Sequence, residues 1–161
     1  MSVPHSVYRS FVRVRFSECD PYGHVNNAVY LDYLEQAAFD HADICGWSVS
    51  RLQREVGAVF VARKHEMEFL QPAFDGDLLE ISTWPEGMSM VRTRRHYVMR
   101  KVASTGFAVP PPEVIPFAAF TPPDRRDLVL QATTEWAFVD LARGRAVRIP
   151  QAVLDGFLLE T

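Results

Sequence analysis

Between Ala28 and Cys45 the sequence has the spacing of one long helix, and the rest of the chain has no second stretch like it. Asp32, Gln36, Asp40 and Asp43 recur at intervals of three and four, which puts them on one face. Tyr30, Leu34, Ala37 and His41 share a second face, and Leu31, Ala38 and Ala42 a third. The apolar arc is wide, so the helix should be wrapped by other structure with a narrow acidic stripe left to solvent. Asn26 and Asn27 are good N-cap candidates, and Gly46 makes a C-terminal stop.

The segments around that helix read as strands. Val12, Val14 and Phe16 alternate with Arg13 and Arg15 in the period of a half-buried strand over Tyr8 to Phe16. After a short second helix at Ser50 to Glu55, strands are expected at Ala58 to Leu70, Leu78 to Trp84 and Ser89 to Arg100. The third alternates Met90, Arg92, Arg94 and His96 against Val91, Thr93, Arg95 and Tyr97. Val129 to Leu141 and Ala146 to Ile149 form a hairpin across Arg143-Gly144-Arg145, and Pro150 to Leu158 a terminal helical turn. One helix followed by a run of strands is an α+β arrangement, with an antiparallel sheet wrapped around the central helix. The chain of 161 residues suits a single domain over 1–161. Six of the eleven prolines fall at 110, 111, 112, 116, 122 and 123. At that density no regular element is expected between about 103 and 126. Phe107, Val109, Val114, Ile115, Phe117 and Phe120 make this insertion too apolar for a free linker.

Charge and composition exclude several classes. The net charge is -3 and the pI about 5.9, which gives no reason to expect a nucleic-acid partner. There is no apolar stretch of membrane-spanning length and no basic-then-apolar leader, so neither membrane insertion nor export is expected. Cys19 and Cys45 do not make a disulfide framework, which fits a cytoplasmic protein with reduced thiols. The five histidines lack paired metal-ligand spacing, so no metal is expected. Neither a phosphate-binding loop nor a dinucleotide fingerprint is present, so no cofactor is expected.

Chemistry concentrates between Phe16 and Gln36, in FSECDPYGHVNNAVYLDYLEQ. Asp20 is a carboxylate in a Pro-Gly loop just before a helix start. A helix start presents unpaired N–H groups and partial positive charge, which favour an oxygen gaining negative charge. A carboxylate and an electrophilic platform are two parts needed for attack on a thioester. Asp20 can attack the carbonyl itself or serve as general base to a water. Taken alone, it reads more simply as an Asx turn through Pro21. His24, four residues on, can orient substrate or a water, or donate to a backbone carbonyl. Cys19 reads as a structural thiol pointing away from Asp20. Glu35 lies beside Leu31, Ala38 and Ala42, where a carboxylate must be paired or shifted in pKa; it can be catalytic, but a hydrogen bond to a loop backbone or an Arg that holds the site's shape is expected.

These residues also resemble a known family. Val14 to Glu35, with Asp20, Gly23, His24-Val25-Asn26-Asn27 and Tyr30-Leu31…Leu34-Glu35, is similar to the hotdog-fold acyl-CoA thioesterases of the 4-hydroxybenzoyl-CoA thioesterase type. Phe69-Leu70-Gln71-Pro72-Ala73…Gly76-Asp77 resembles that family's next turn, and Trp136 to Pro150 its closing hairpin. The resemblance implies a hotdog fold and hydrolysis of an acyl-CoA or acyl-carrier-protein thioester. It implies Asp20 as the catalytic carboxylate and the backbone N–H of Asn27 as the group polarising the carbonyl. Gly23 would permit their close approach, with Tyr22, His24, Val25 and Asn26 lining the acyl end. CoA would enter as part of the substrate and not as a cofactor. A homodimer or homotetramer with sites at subunit interfaces is also implied. The insertion at 103–126 is longer than the turn such a family would place there. Two other readings stay open: an enoyl-CoA hydratase using Asp20 and His24, and a non-catalytic acyl-binding subunit.

Overall fold

Six strands hydrogen-bond side by side in a curved antiparallel sheet, and one helix fills its hollow. The computed structural model describes residues 2–160. The elements in chain order are β1 (Ser2–Pro4), β2 (Ser6–Arg13), α1 (Asn27–Ile44), α2 (Val49–Arg51), β3 (Ala58–Phe69), β4 (Leu78–Ser89), β5 (Arg92–Val102), β6 (Glu113–Pro116), β7 (Leu128–Asp140), β8 (Arg145–Ala146), α3 (Gln151–Phe157) and β9 (Leu158–Glu160). The main sheet runs β3-β7-β5-β4-β2-β6, with β8 appended to the end of β7. A separate two-stranded sheet pairs β1 with β9.

α1 forms where the spacing places it. Asn26 caps it, its Oδ1 accepting from the Ala28 N–H at 3.0 Å. Gly46, at φ +85°, ends it in the left-handed region, where a side chain would be strained. The face of Tyr30, Leu34, Ala37 and His41 is buried against the sheet, while Asp32, Gln36 and Asp43 are exposed. Leu79, Ile81, Tyr97, Met99 and Leu130 meet that face from the strands. Each such large side chain, once fully buried, contributes about 1.5–3 kcal/mol from lost apolar hydration.

The structure departs from the sequence reading in five places. β2 spans Ser6–Arg13 and stops short of Phe16, which opens a short 3-10 turn over Phe16–Glu18 and is exposed, because the chain must turn there into the loop before α1. β4 continues past Trp84 to Ser89 because β5 pairs along its whole length, and a bulge between Pro85 and Gly87 absorbs the proline. The short second helix begins at Val49 and passes into a wider π turn over Leu52–Val56. The return strand after Gly144 is only Arg145–Ala146. The fifth departure is in the insertion, where β6 pairs with β2 from Ser6↔Pro116 to Arg9↔Glu113. The strand survives because it uses the proline-free run Glu113-Val114-Ile115 and lies at a sheet edge, where Pro116 owes no second ladder bond.

Side chains also hold the insertion, in addition to β6. Arg13 donates to Ser104 Oγ at 2.7 Å and to the carbonyls of Gly106 at 3.0 Å and Gly76 at 2.9 Å. Phe120 and Phe117 pack on Trp84, with ring centroids 5.1 and 6.5 Å away. Trp84 alternates with the core residues of β4, so this contact lies on the sheet face turned away from α1. On that face Glu80 is buried and paired with Arg100 at 2.8 Å. Among the described residues β3 pairs with β7 alone, so its other edge is unpaired there along twelve residues.

Candidate active site

The chain from Glu18 to Asn26 is a tight hairpin leading into α1. Asn26 N–H donates to the Glu18 carbonyl at 2.9 Å, and Asp20 N–H to the His24 carbonyl at 2.7 Å. Between them Cys19 and Val25 form a bridge. Gly23 closes the tip at φ +82°, a conformation glycine adopts without strain. Gly23 N–H donates to the Asp20 carbonyl at 2.9 Å.

Asp20 does make the Asx turn that its sequence context suggests. Its Oδ1 accepts from the Tyr22 N–H at 2.9 Å and the His24 N–H at 3.1 Å. No described residue bonds Oδ2, and the residue is half-buried. The turn therefore fixes the carboxylate by one oxygen and leaves the other able to act. No hydrogen bond joins the Asp20 side chain to the His24 ring among the described residues. The His24 ring instead stands edge-on to Phe74, with centroids 5.2 Å apart.

Asn27 opens α1, and its N–H has no partner among the described residues, since the Asn26 side chain takes Ala28. The first turn carries no acidic side chain to offset the helix's positive end. His24, Val25 and Asn27 share a solvent-open cleft of about 540 Å³ with Tyr30, Phe69, Leu70, Gln71 and Pro72. Asp20, Tyr22, Gly23 and Asn26 do not line it. Tyr22 is 84 % exposed, its ring standing clear of the surface.

Two residues beneath the hairpin were not singled out from the sequence. Glu18 is buried and accepts from Arg15 N–H at 2.8 Å, from the Arg15 guanidinium at 2.7 and 3.0 Å, and from the Tyr33 hydroxyl at 2.5 Å. Burial pushes this carboxyl up, but the hydrogen bonds from Arg15 and Tyr33 outweigh it and hold it below the usual carboxylate range. Tyr33 is pushed strongly up, first by burial and then by Glu18. The start of the hairpin is thereby fastened to the second turn of α1. Spacing gives no hint of this pair, because strand and helix must pack before the two side chains meet.

Cys19 is a poor nucleophile here. Burial raises its thiol, the negative charges of Asp75, Asp20 and Glu18 add to the rise against a lowering backbone hydrogen bond at Asp75, and its Sγ faces the Arg15 carbonyl at 3.7 Å. Cys19 and Cys45 are both free thiols. Glu35 is half-buried and makes no hydrogen bond or ion pair among the described residues, so the loop or Arg partner expected for it is not found.

The sheet order, the central helix and the hairpin before it define a hotdog fold. Residues 14–157 match the thioesterase-like superfamily, and the chain belongs to that family. The acyl-acyl carrier protein thioesterase ATL2 of Arabidopsis thaliana chloroplasts is 32 % identical over 81 residues, which are 50 % of this chain and 43 % of that protein. The match thus spans less than half the length of that curated relative. Among solved structures, a 1,4-dihydroxy-2-naphthoyl-CoA thioesterase from Synechocystis superposes with a TM-score of 0.72 at 15 % identity, covering 93 % of this chain and 94 % of that one. A hypothetical protein from Aquifex aeolicus gives 0.69 at 24 % identity, covering 92 % and 97 %. At such identities the likeness is one of fold. No described helix is long and apolar enough to cross a membrane.

Proposed function

We propose that this chain hydrolyses an acyl thioester of CoA or of an acyl carrier protein, in the manner of the 4-hydroxybenzoyl-CoA thioesterase type. The observation that carries the reading is one short hairpin bearing an unbonded carboxylate oxygen, Asp20 Oδ2, and ending in an unbonded helix-start amide, Asn27 N–H. The thioester carbonyl oxygen would accept from Asn27 N–H as it gains negative charge. Asp20 would then act in one of two ways. As nucleophile, its oxygen adds to the carbonyl carbon, the thiolate leaves, and water cleaves the resulting anhydride. As general base, it takes a proton from a water that adds to the same carbon. Both routes consume one water and yield a free acid and a thiol.

His24 would orient the acyl end from the wall of the cleft. The absence of an Asp20–His24 side-chain bond favours hydrolysis over hydration. The open β3 edge supports a homodimer, because an unpaired twelve-residue edge is a template for a second chain. A second β3 beside the first would also bring a partner surface toward the cleft that Phe69 lines. The free thiols suit a cytoplasmic setting.

A panel of aliphatic, aromatic and enoyl-CoA substrates tests the reading. Thiol release from at least one of them is expected. Loss of enoyl absorbance without thiol release would give the site to a hydratase. Binding without turnover across the panel would leave an acyl-binding subunit.

A further inference from the structure

The face of the sheet turned away from α1 carries a hollow ringed by cations. Trp136 and Phe138 pack in the core, so Ala137 between them points the other way. Val61 of β3 and Arg92 of β5 flank Ala137 in the ladder. Lys64 and Arg94 flank Glu135, the next residue of β7 on that face. The register of β3 shifts between Ala62 and Lys64, which leaves Arg63 as an extra residue in the strand. A bulge of this kind re-aims the side chains beside it, and Arg63 and Lys64 both line the hollow. Arg92, Glu135 and Ala137 line it too, and its volume is about 290 Å³. That lies at the lower end of the ~300–1,000 Å³ range of small-molecule sites.

The charges around it do not cancel. Lys64 pairs with Glu66 at 2.6 Å, and Arg94 with Glu135 at 3.4 Å. Arg63 and Arg92 are exposed, and neither guanidinium has an ion pair or hydrogen bond among the described residues. The chain as a whole carries a charge of -3, so two unpaired cations at one hollow run against the overall balance. β3 and β5 lie on either side of β7, which sets their axes about 9–10 Å apart. Two long side chains at that spacing can meet one ligand seated over the small Ala137. A guanidinium fork bonds two phosphate oxygens at once, and a recess lined by one sign of charge concentrates its field.

We infer that this hollow binds a small molecule bearing phosphoryl groups, held between Arg63 and Arg92. The Asp20 hairpin and its cleft lie at the start of α1, on the other face of the sheet. The ligand is therefore separate from the thioester, and the inference does not depend on the reaction proposed there.

Inorganic pyrophosphate is the probe, titrated by calorimetry at physiological ionic strength. One saturable site per chain is expected. Arg63→Gln and Arg92→Gln should each weaken binding at least tenfold, the scale of losing a charge-assisted bond. Both residues are exposed, so both variants should keep the wild-type Tm. Arg143→Gln removes an exposed arginine outside the hollow and should bind pyrophosphate as the wild type does. No saturable binding, wild-type affinity in Arg63→Gln or Arg92→Gln, or equal weakening in Arg143→Gln would overturn the inference. The KM for acyl-CoA should be the same in Arg63→Gln, Arg92→Gln and wild type. A rise in both variants would assign the phosphoryl groups to the CoA of the substrate and overturn the separate ligand.

Discussion

Lowering the pH from 7 to 4.5 should cost this protein stability through one buried imidazole. His41 is 1 % exposed, between Tyr8 stacked at 6.0 Å and the edge of Phe157 at 6.4 Å. Its Nδ1 accepts from Arg95, which leaves the proton on Nε2 to be donated to Ser6 Oγ at 3.0 Å. Burial, then Arg95, takes its pKa from 6.5 to about 3. In the unfolded chain the ring takes up a proton below pH 6.5, and in the folded protein it does not. Stability is therefore whole above pH 6.5 and falls by about 1.36 kcal/mol for each pH unit until the folded value is reached. At pH 4.5 the loss from His41 alone is about 2.5 kcal/mol. His41→Gln keeps an acceptor for Arg95 and a donor for Ser6 but cannot titrate. Urea unfolding of both proteins at pH 7 and 4.5 isolates the effect, since carboxylates such as Glu18 contribute equally to each. The wild type should lose about 2.5 kcal/mol more than the variant over this interval. Equal losses would refute the reasoning.

Three further outcomes follow from the geometry. Gly156 in α3 has no room for a methyl group, because a Cβ there would lie 2.6 Å from Trp47 Cδ1 and 2.9 Å from the Cys45 carbonyl. Gly156→Ala should cost about 1–3 kcal/mol, seen by calorimetry as a lower Tm, and an unchanged Tm would contradict the packing. Glu18→Gln removes the charged acceptor of Arg15 and Tyr33, which should cost about 1.5–3 kcal/mol. It should also slow thioester turnover on the order of tenfold through misplacement of the hairpin. Wild-type stability and turnover would contradict the role of Glu18. Sedimentation equilibrium should return at least twice the 18.3 kDa of one chain, and a monomer would contradict pairing through β3.

What the sequence made legible was local. α1 could be placed to within a residue because an eighteen-residue periodic run has few other ways to bury two apolar faces and leave an acidic one to solvent, and Asn26 and Gly46 punctuate it. The Asp20 loop was legible for the same reason: Pro21 and Gly23 mark a turn whatever surrounds them. The insertion was misread because β6 exists only beside the free edge of β2, about a hundred residues earlier in the chain. β1 and β9 are three residues each and join opposite ends of the chain, so neither carries a period of its own. In the site, Glu18–Tyr33 and His24–Phe74 are contacts between elements, and only packing brings them together. The alternation of β5 did place Arg95 opposite Arg94 and His96, yet its bond to His41 appears only once β5 packs on α1.

Asp20 carries the central claim, and Asp20→Asn tests it most directly. The asparagine keeps an oxygen to accept from the Tyr22 and His24 N–H groups, so the Asx turn should hold while the charge is lost. Thiol release from the best acyl-CoA of the panel, measured at saturating substrate on wild type and variant of equal Tm, should fall by roughly 100-fold or more, the scale of losing a positioned acid–base group or nucleophile. Undiminished release from Asp20→Asn would contradict the account.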